Sequence, residues 1–172
     1  MKILAIDPGP IDSAFVVYEN KKILLKGIEE NPLLLMRLRN APFSPILQDV
    51  SLIVIETPMS YGMKVGRDVF ECCVAVGRFM EACLFGAPVH RLGRKQVVLQ
   101  LCHSARAKDG DVTRACIERV GPKGKKASPG PTYGVAYDEW AALGVAVAVD
   151  EMLAEGSFQP YEYDNGEVSI ND

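Results

Sequence analysis

Two apolar runs in this chain each close on a carboxylate, Lys2-Ile3-Leu4-Ala5-Ile6-Asp7 and Ser51-Leu52-Ile53-Val54-Ile55-Glu56. Uninterrupted runs of this length predict strands buried on both faces, as in a parallel sheet covered by helices. Between them, Ala14 to Tyr18 and Ile23 to Ile28 are β-rich runs joined by Glu19-Asn20-Lys21-Lys22, the pattern of an antiparallel hairpin. Pro8-Gly9-Pro10 breaks the first strand, and Leu33 to Asn40 predicts one or two turns of helix. Thr57 to Gly66 reads as a loop. Val69, Cys72, Cys73, Val76, Met80 and Cys83 then recur at three- and four-residue steps, so a helix over 67–84 should pack on the sheet. Pro88 to Leu92 is a short fifth strand, followed by helices over 94–102 and 112–120 with a Lys108-Asp109-Gly110-Asp111 turn between them. Gly121 to Gly134, dense in Gly, Pro and Lys, predicts a mobile loop. Asp138 to Leu153 is apolar round most of its surface, as a deeply buried helix would be. Residues 1–156 read as one domain and 157–172 as a polar tail.

Composition narrows the class. A chain of 172 residues with 48% hydrophobic and 24% charged residues suits one globular domain with a full core. No apolar stretch is long enough to span a bilayer, and Met1-Lys2 leads straight into a strand, so a cytoplasmic protein without membrane association is expected. The five cysteines lack C-x-x-C spacing and stand apart from His90 and His103, which argues against zinc and against a disulfide framework. Cys72 and Cys73 are expected to be buried thiols acting as small hydrophobes. Net charge is −3, yet the cations cluster at Lys64/Arg67, Arg91/Arg94/Lys95, Arg106/Lys108 and Lys123/Lys125/Lys126. Each cluster alone fits a solvated surface; converging round the two carboxylates, they would track a phosphate backbone.

The element order βββαβαβαα, with a hairpin returning onto the first strand and later strands added in parallel, is that of the ribonuclease H-like fold: α/β, with a five-stranded mixed sheet and helices on both faces. In that arrangement the first and fourth strands are neighbours, so Asp7 and Glu56 face each other. Strand parity agrees, since Ile3, Ala5 and Asp7 share one side and Leu52, Val54 and Glu56 share one side. Paired carboxylates at a sheet edge suit Mg²⁺ or Mn²⁺. Asp138, opening the last helix, is placed to supply a third acid, although an Asp at that point also suits a plain N-cap.

Ile6-Asp7-Pro8-Gly9, Val54-Ile55-Glu56, Lys108-Asp109-x-Asp111-Val112 and Tyr137-Asp138-x-x-Ala141-Ala142-Leu143-Gly144-Val145-Ala146 together resemble a RuvC-type Holliday junction resolvase, in its divergent phage-like form. The resemblance spans about residues 2–153 and lies in the order and spacing of short motifs. It implies hydrolysis of branched DNA by a homodimer, with Asp7, Glu56 and Asp138 catalytic and two Mg²⁺ or Mn²⁺ ions as cofactor. Ala141 stands where the family carries its final aspartate. Asp138, helped by Glu139, would then supply the helical ligand, or the protein would bind junctions without cutting them. In the first loop, Pro10-Ile11-Asp12-Ser13 replaces the more usual small residues, and Asp12 either approaches the metals or, the favoured reading, caps a turn. Lys64, Arg67, Lys95, Lys108, Lys123, Lys125 and Lys126 are the candidate DNA contacts, and Met59, Tyr61 and Met63 are either wedges against unpaired bases or, equally, a loop folding onto its own apolar side chains. An RNA–DNA hybrid nuclease would share these residues. An actin-like ATPase would need a second nucleotide-binding half.

Overall fold

The computed structural model describes residues 1–40, 44–59, 62, 64–83 and 86–158. The order is β1 (Lys2–Asp7), β2 (Asp12–Glu19), β3 (Lys22–Glu30), α1 (Asn31–Arg39), β4 (Leu52–Thr57), α2 (Arg67–Ala82), β5 (Val89–Gly93), α3 (Arg94–Cys102), α4 (Asp109–Val120), β6 (Gly124–Lys125), β7 (Ser128–Pro129) and α5 (Glu139–Glu155). The main sheet runs β3-β2-β1-β4-β5. Its first three strands form an antiparallel meander, and β4 and β5 add in parallel. Five strands of mixed direction with helices on both faces match the expected ribonuclease H-like architecture.

The apolar run of β1 is buried on both sides because each face has its own helical layer. Ile3, Ala5, Leu52 and Val54 pack with α3, α4 and α5 in one core. Leu4, Ile6, Ile53 and Ile55 pack with α1 and α2 in the other. The β1–β4 register pairs Ile3 with Leu52 and Ala5 with Val54, so the side-chain parity read from sequence holds. α5 lies at the centre of the first core, with Ala142 to Val149 all buried. Gly144 permits this: a Cβ there would come within 2.7 Å of Val112 Cγ1 on α4.

Several elements differ from expectation. α4 begins at Asp109, because the Lys108 amide donates to Asp111 Oδ2 at 3.0 Å and converts the expected turn into a capped first turn of helix. The segment 121–134 folds as the small β6–β7 hairpin and is tied back by Thr132 Oγ1, which is fully buried and donates to the Gly121 carbonyl at 2.8 Å. On α2, Cys73 is exposed, while Ala75, Val76, Phe79 and Cys83 meet the sheet. The amino-terminal half of this helix therefore turns Phe70 (61% exposed) and Val74 (56%) outward. Phe158, assigned by sequence to the polar tail, is buried edge-on against His90, with ring centroids 4.5 Å apart. Among the described residues no helix is long and apolar enough to cross a membrane.

Candidate active site

Asp7 ends β1 and Glu56 lies one residue from the end of β4, both on the face covered by α5. The turn after Asp7 is fixed by a compact network. Gly9 N donates to Ser13 Oγ at 3.2 Å, Ser13 Oγ donates to Asn31 Oδ1 at 2.6 Å, and Asn31 Nδ2 returns to the Gly9 carbonyl at 3.0 Å. Ser13 and Asn31 are buried, and their mutual satisfaction holds the end of β1 in place. Asp12 opens β2 opposite Glu30, exposed and outside the cleft that Asp7 and Glu56 line.

The two strand acids open into a cleft of about 410 Å³ whose walls also include Arg94, Asp109, Val112, Thr113, Tyr137, Asp138, Trp140 and Ala141. Arg94 and Asp109 are the first residues of α3 and α4, and Asp138 immediately precedes α5. Three helix amino termini thus meet the cleft, and their partial positive charge favours anions there. Asp138 makes no side-chain capping bond to the described residues. The capping-like contact is made instead by Glu139, whose carboxylate accepts from the Ala136 amide at 2.9 Å and from Lys26 Nζ at 2.8 and 3.0 Å. Glu139 is buried in this tie between α5 and β3 and does not line the cleft, so its expected place beside the metal is not where the structure puts it.

Burial and crowding raise both strand acids. Loss of hydration, chiefly, with the nearby Asp138 carboxylate, pushes Asp7 up to about 6 despite the opposing Arg94. Burial, then Asp7, pushes Glu56 to about 8, again against Arg94. Arg94 Nη1 lies 3.5 Å from Glu56 Oε2, an ion pair too long and misaligned to satisfy either atom, and both are buried without a hydrogen-bond partner among the described residues. The other end of the same guanidinium bonds Asp109 Oδ1.

An all-carboxylate donor set with an orphaned Glu56 oxygen suits a hard divalent cation. Among the described residues, however, no three acidic, histidine or cysteine side chains are drawn together tightly enough to hold an ion as they stand. All five cysteines are free thiols.

The remaining sequence candidates lie on several elements. Lys123 places its ammonium 4.9 Å from the Trp140 ring, and Trp140 lines the cleft. Lys125 and Lys126 are exposed on the small hairpin, and Lys95 and Lys108 are exposed at the starts of α3 and α4. Lys64 is exposed ahead of α2, and Arg67, at its first residue, pairs with Glu71 at 3.7 Å. Met59, three residues beyond Glu56, is 53% exposed. Tyr61 and Met63 lie outside the described residues.

Sequence reasoning does not single out Asp109, Arg94 and Tyr137 as members of the site. Tyr137 is 86% exposed on the cleft wall and has a left-handed backbone, φ 49°, which for a bulky residue is strained. An aromatic residue beside an aspartate at a buried helix start is the signal available in the sequence.

No protein-family model matches this sequence, and no curated protein matches it. Solved structures do. Thermus thermophilus RuvC superposes with a TM-score of 0.69 at 18% identity, covering 94% of this chain and 100% of that one. The T. thermophilus RuvC in complex with Holliday junction substrate gives 0.71 at 17% identity, covering 94% and 99%. At such identities the likeness is one of fold, and the fold of this chain is that of the RuvC-type resolvases.

Proposed function

We propose that the protein is a divalent-metal-dependent endonuclease that cuts branched DNA, with four-way junctions as its preferred substrate. The observation that carries this reading is the side-by-side placement of Asp7 and Glu56 at one sheet edge, opening with Asp138 into a cleft where Glu56 keeps a buried oxygen unpartnered among the described residues. The likeness to a RuvC bound to a Holliday junction supports the choice of substrate class.

Asp7, Glu56 and Asp138 would hold two Mg²⁺ or Mn²⁺ ions, which when bound activate water for in-line attack on phosphorus and stabilise the departing 3′ oxygen. The chain's own part is to orient and to compensate charge. The helix termini favour the phosphate, and the buried strand acids, lifted toward neutrality, ionise fully once a cation offsets their repulsion. Lys64, Arg67, Lys95, Lys108, Lys123, Lys125 and Lys126 would position the backbone without reading sequence. Met59 and Tyr61 would meet unpaired bases at the branch. Two copies would cut opposing strands. The outward Phe70 and Val74 of α2 would give a homodimer an apolar face, and Glu71 and Arg78 on that helix would allow an antiparallel pairing of opposite charges.

The test compares a four-way junction, a flap, an RNA–DNA hybrid and a plain duplex under Mg²⁺ and Mn²⁺, with Asp7→Asn and Glu56→Gln as controls. Cleavage confined to branched DNA, and lost by at least ~10³-fold in both variants with binding retained, is expected. Preferred cleavage of the hybrid would move the substrate assignment. Ala141 and the Arg94 ion pair favour one rival reading, a junction-binding protein that does not cut. Tight junction binding with no product under either metal would establish that rival.

A further inference from the structure

We propose that Asp109 is a fourth carboxylate of the divalent-ion site, joining Asp7, Glu56 and Asp138 from the α4 wall. This assignment rests on the ion-dependent reading above and adds to it a residue whose sequence context is that of a turn.

Four observations converge on Asp109. The α5 wall offers the cleft one carboxylate, from Asp138, and the Trp140 and Ala141 side chains beside it carry no oxygen. Asp109 lines the same cleft from the first residue of α4. Its side chain is 96% exposed at the rim, so it can rotate inward without breaking packing. The other acid of that turn, Asp111, is already committed to the Lys108 amide and to Arg114.

The position of Arg94 adds the most. One guanidinium contacts Glu56 through Nη1 and Asp109 through Nη2, so carboxylates from β4 and α4 already share a single positive centre. That pairing is poor at the buried end. Glu56, 8% exposed, keeps Oε2 without a hydrogen bond from the described residues, and Arg94 Nη1 is equally unsatisfied. A small divalent cation concentrates more charge and takes oxygen ligands at about 2.1 Å, closer than a guanidinium can bring them. Arg94 is thus a resident counter-charge that an ion would displace, and the two carboxylates it bridges are the ones the ion would gather.

Manganese alone, titrated into DNA-free protein by calorimetry, separates the possibilities. Asp109→Asn should weaken Mn²⁺ binding about ten-fold or more, Asp109→Glu should restore most of it, and Asp49→Asn at a distant exposed site should change nothing. Arg94→Gln should tighten binding by removing the competing cation. In the Arg94→Gln background Asp109→Asn should cost the same factor again. If that cost vanishes there, Asp109 acts only by holding Arg94, and the ligand assignment is overturned. Unchanged Mn²⁺ affinity in Asp109→Asn, beside a loss in Asp7→Asn, overturns the assignment while leaving the ion site standing. A wild-type chain that takes up no Mn²⁺ overturns both.

Discussion

Glu56 shows how a single buried side chain links stability to chemistry. Folding raises its pKa from 4.5 to about 8, mainly by burial and then by Asp7. Between those values the unfolded chain releases the proton and the folded one keeps it, so stability falls as pH rises through the window and the full cost is reached above pH 8. Glu56→Gln removes that cost. Without metal it should match wild type near pH 4.5 and become progressively more stable than wild type toward pH 8, as read by thermal unfolding across pH. A constant offset at all pH values would mean that Glu56 is not the titrating group. Asp7, Glu56 and Asp138 are legible in the sequence because each sits at the end of an apolar run, where strand and helix periodicity fix direction. Asp109 is not, because Lys108-Asp109-Gly110-Asp111 has the composition of a turn, and only the Lys108 amide bond to Asp111 makes it the start of a helix. Arg94 reads as one cation among several, since nothing local shows that its guanidinium points inward.

Elements are where most of the fold can be read and where the misreadings have clear causes. The strands and α3 fall close to their expected bounds because their apolar patterns are long or sharply bounded by Gly and Pro. The β6–β7 hairpin has two-residue strands, too short for any periodicity, and its order comes from Thr132 and the close approach of Gly130 to Pro122. The α2 stripe misleads because its cysteines resemble core residues, yet the helix meets the sheet only over its second half. The contact of α5 with α4 is a further test at this scale. Gly144→Val would drive a branched side chain into Val112, itself buried and stiff, and should cost ~1–3 kcal/mol in urea unfolding with an unchanged m-value. Combining it with Val112→Ala should recover part of that cost; no recovery would place the strain elsewhere.

For the whole molecule, a net charge of −3 is compatible with the proposed nucleic-acid substrate through segregation: acids line the cleft, while exposed lysines stand at helix starts and on the small hairpin. Replacing Lys123, Lys125 and Lys126 by Ala should lower junction affinity and flatten its dependence on log salt by ~1 unit for each phosphate these side chains neutralise. An unchanged slope would return these lysines to the solvent. The strand order carries a kinetic consequence as well. β1 meets β2 across a four-residue connection, but it meets β4 only after the chain between Ile6 and Ile55 has closed. Local pairing forms fast and distant pairing slowly, so the meander should appear first in refolding and the parallel step later. The acidic pair does not exist until that later step, so a refolding chain should gain Mn²⁺-dependent protection only in its slowest phase. A nascent chain ending before Leu52 would carry Asp7 as an ordinary solvated carboxylate.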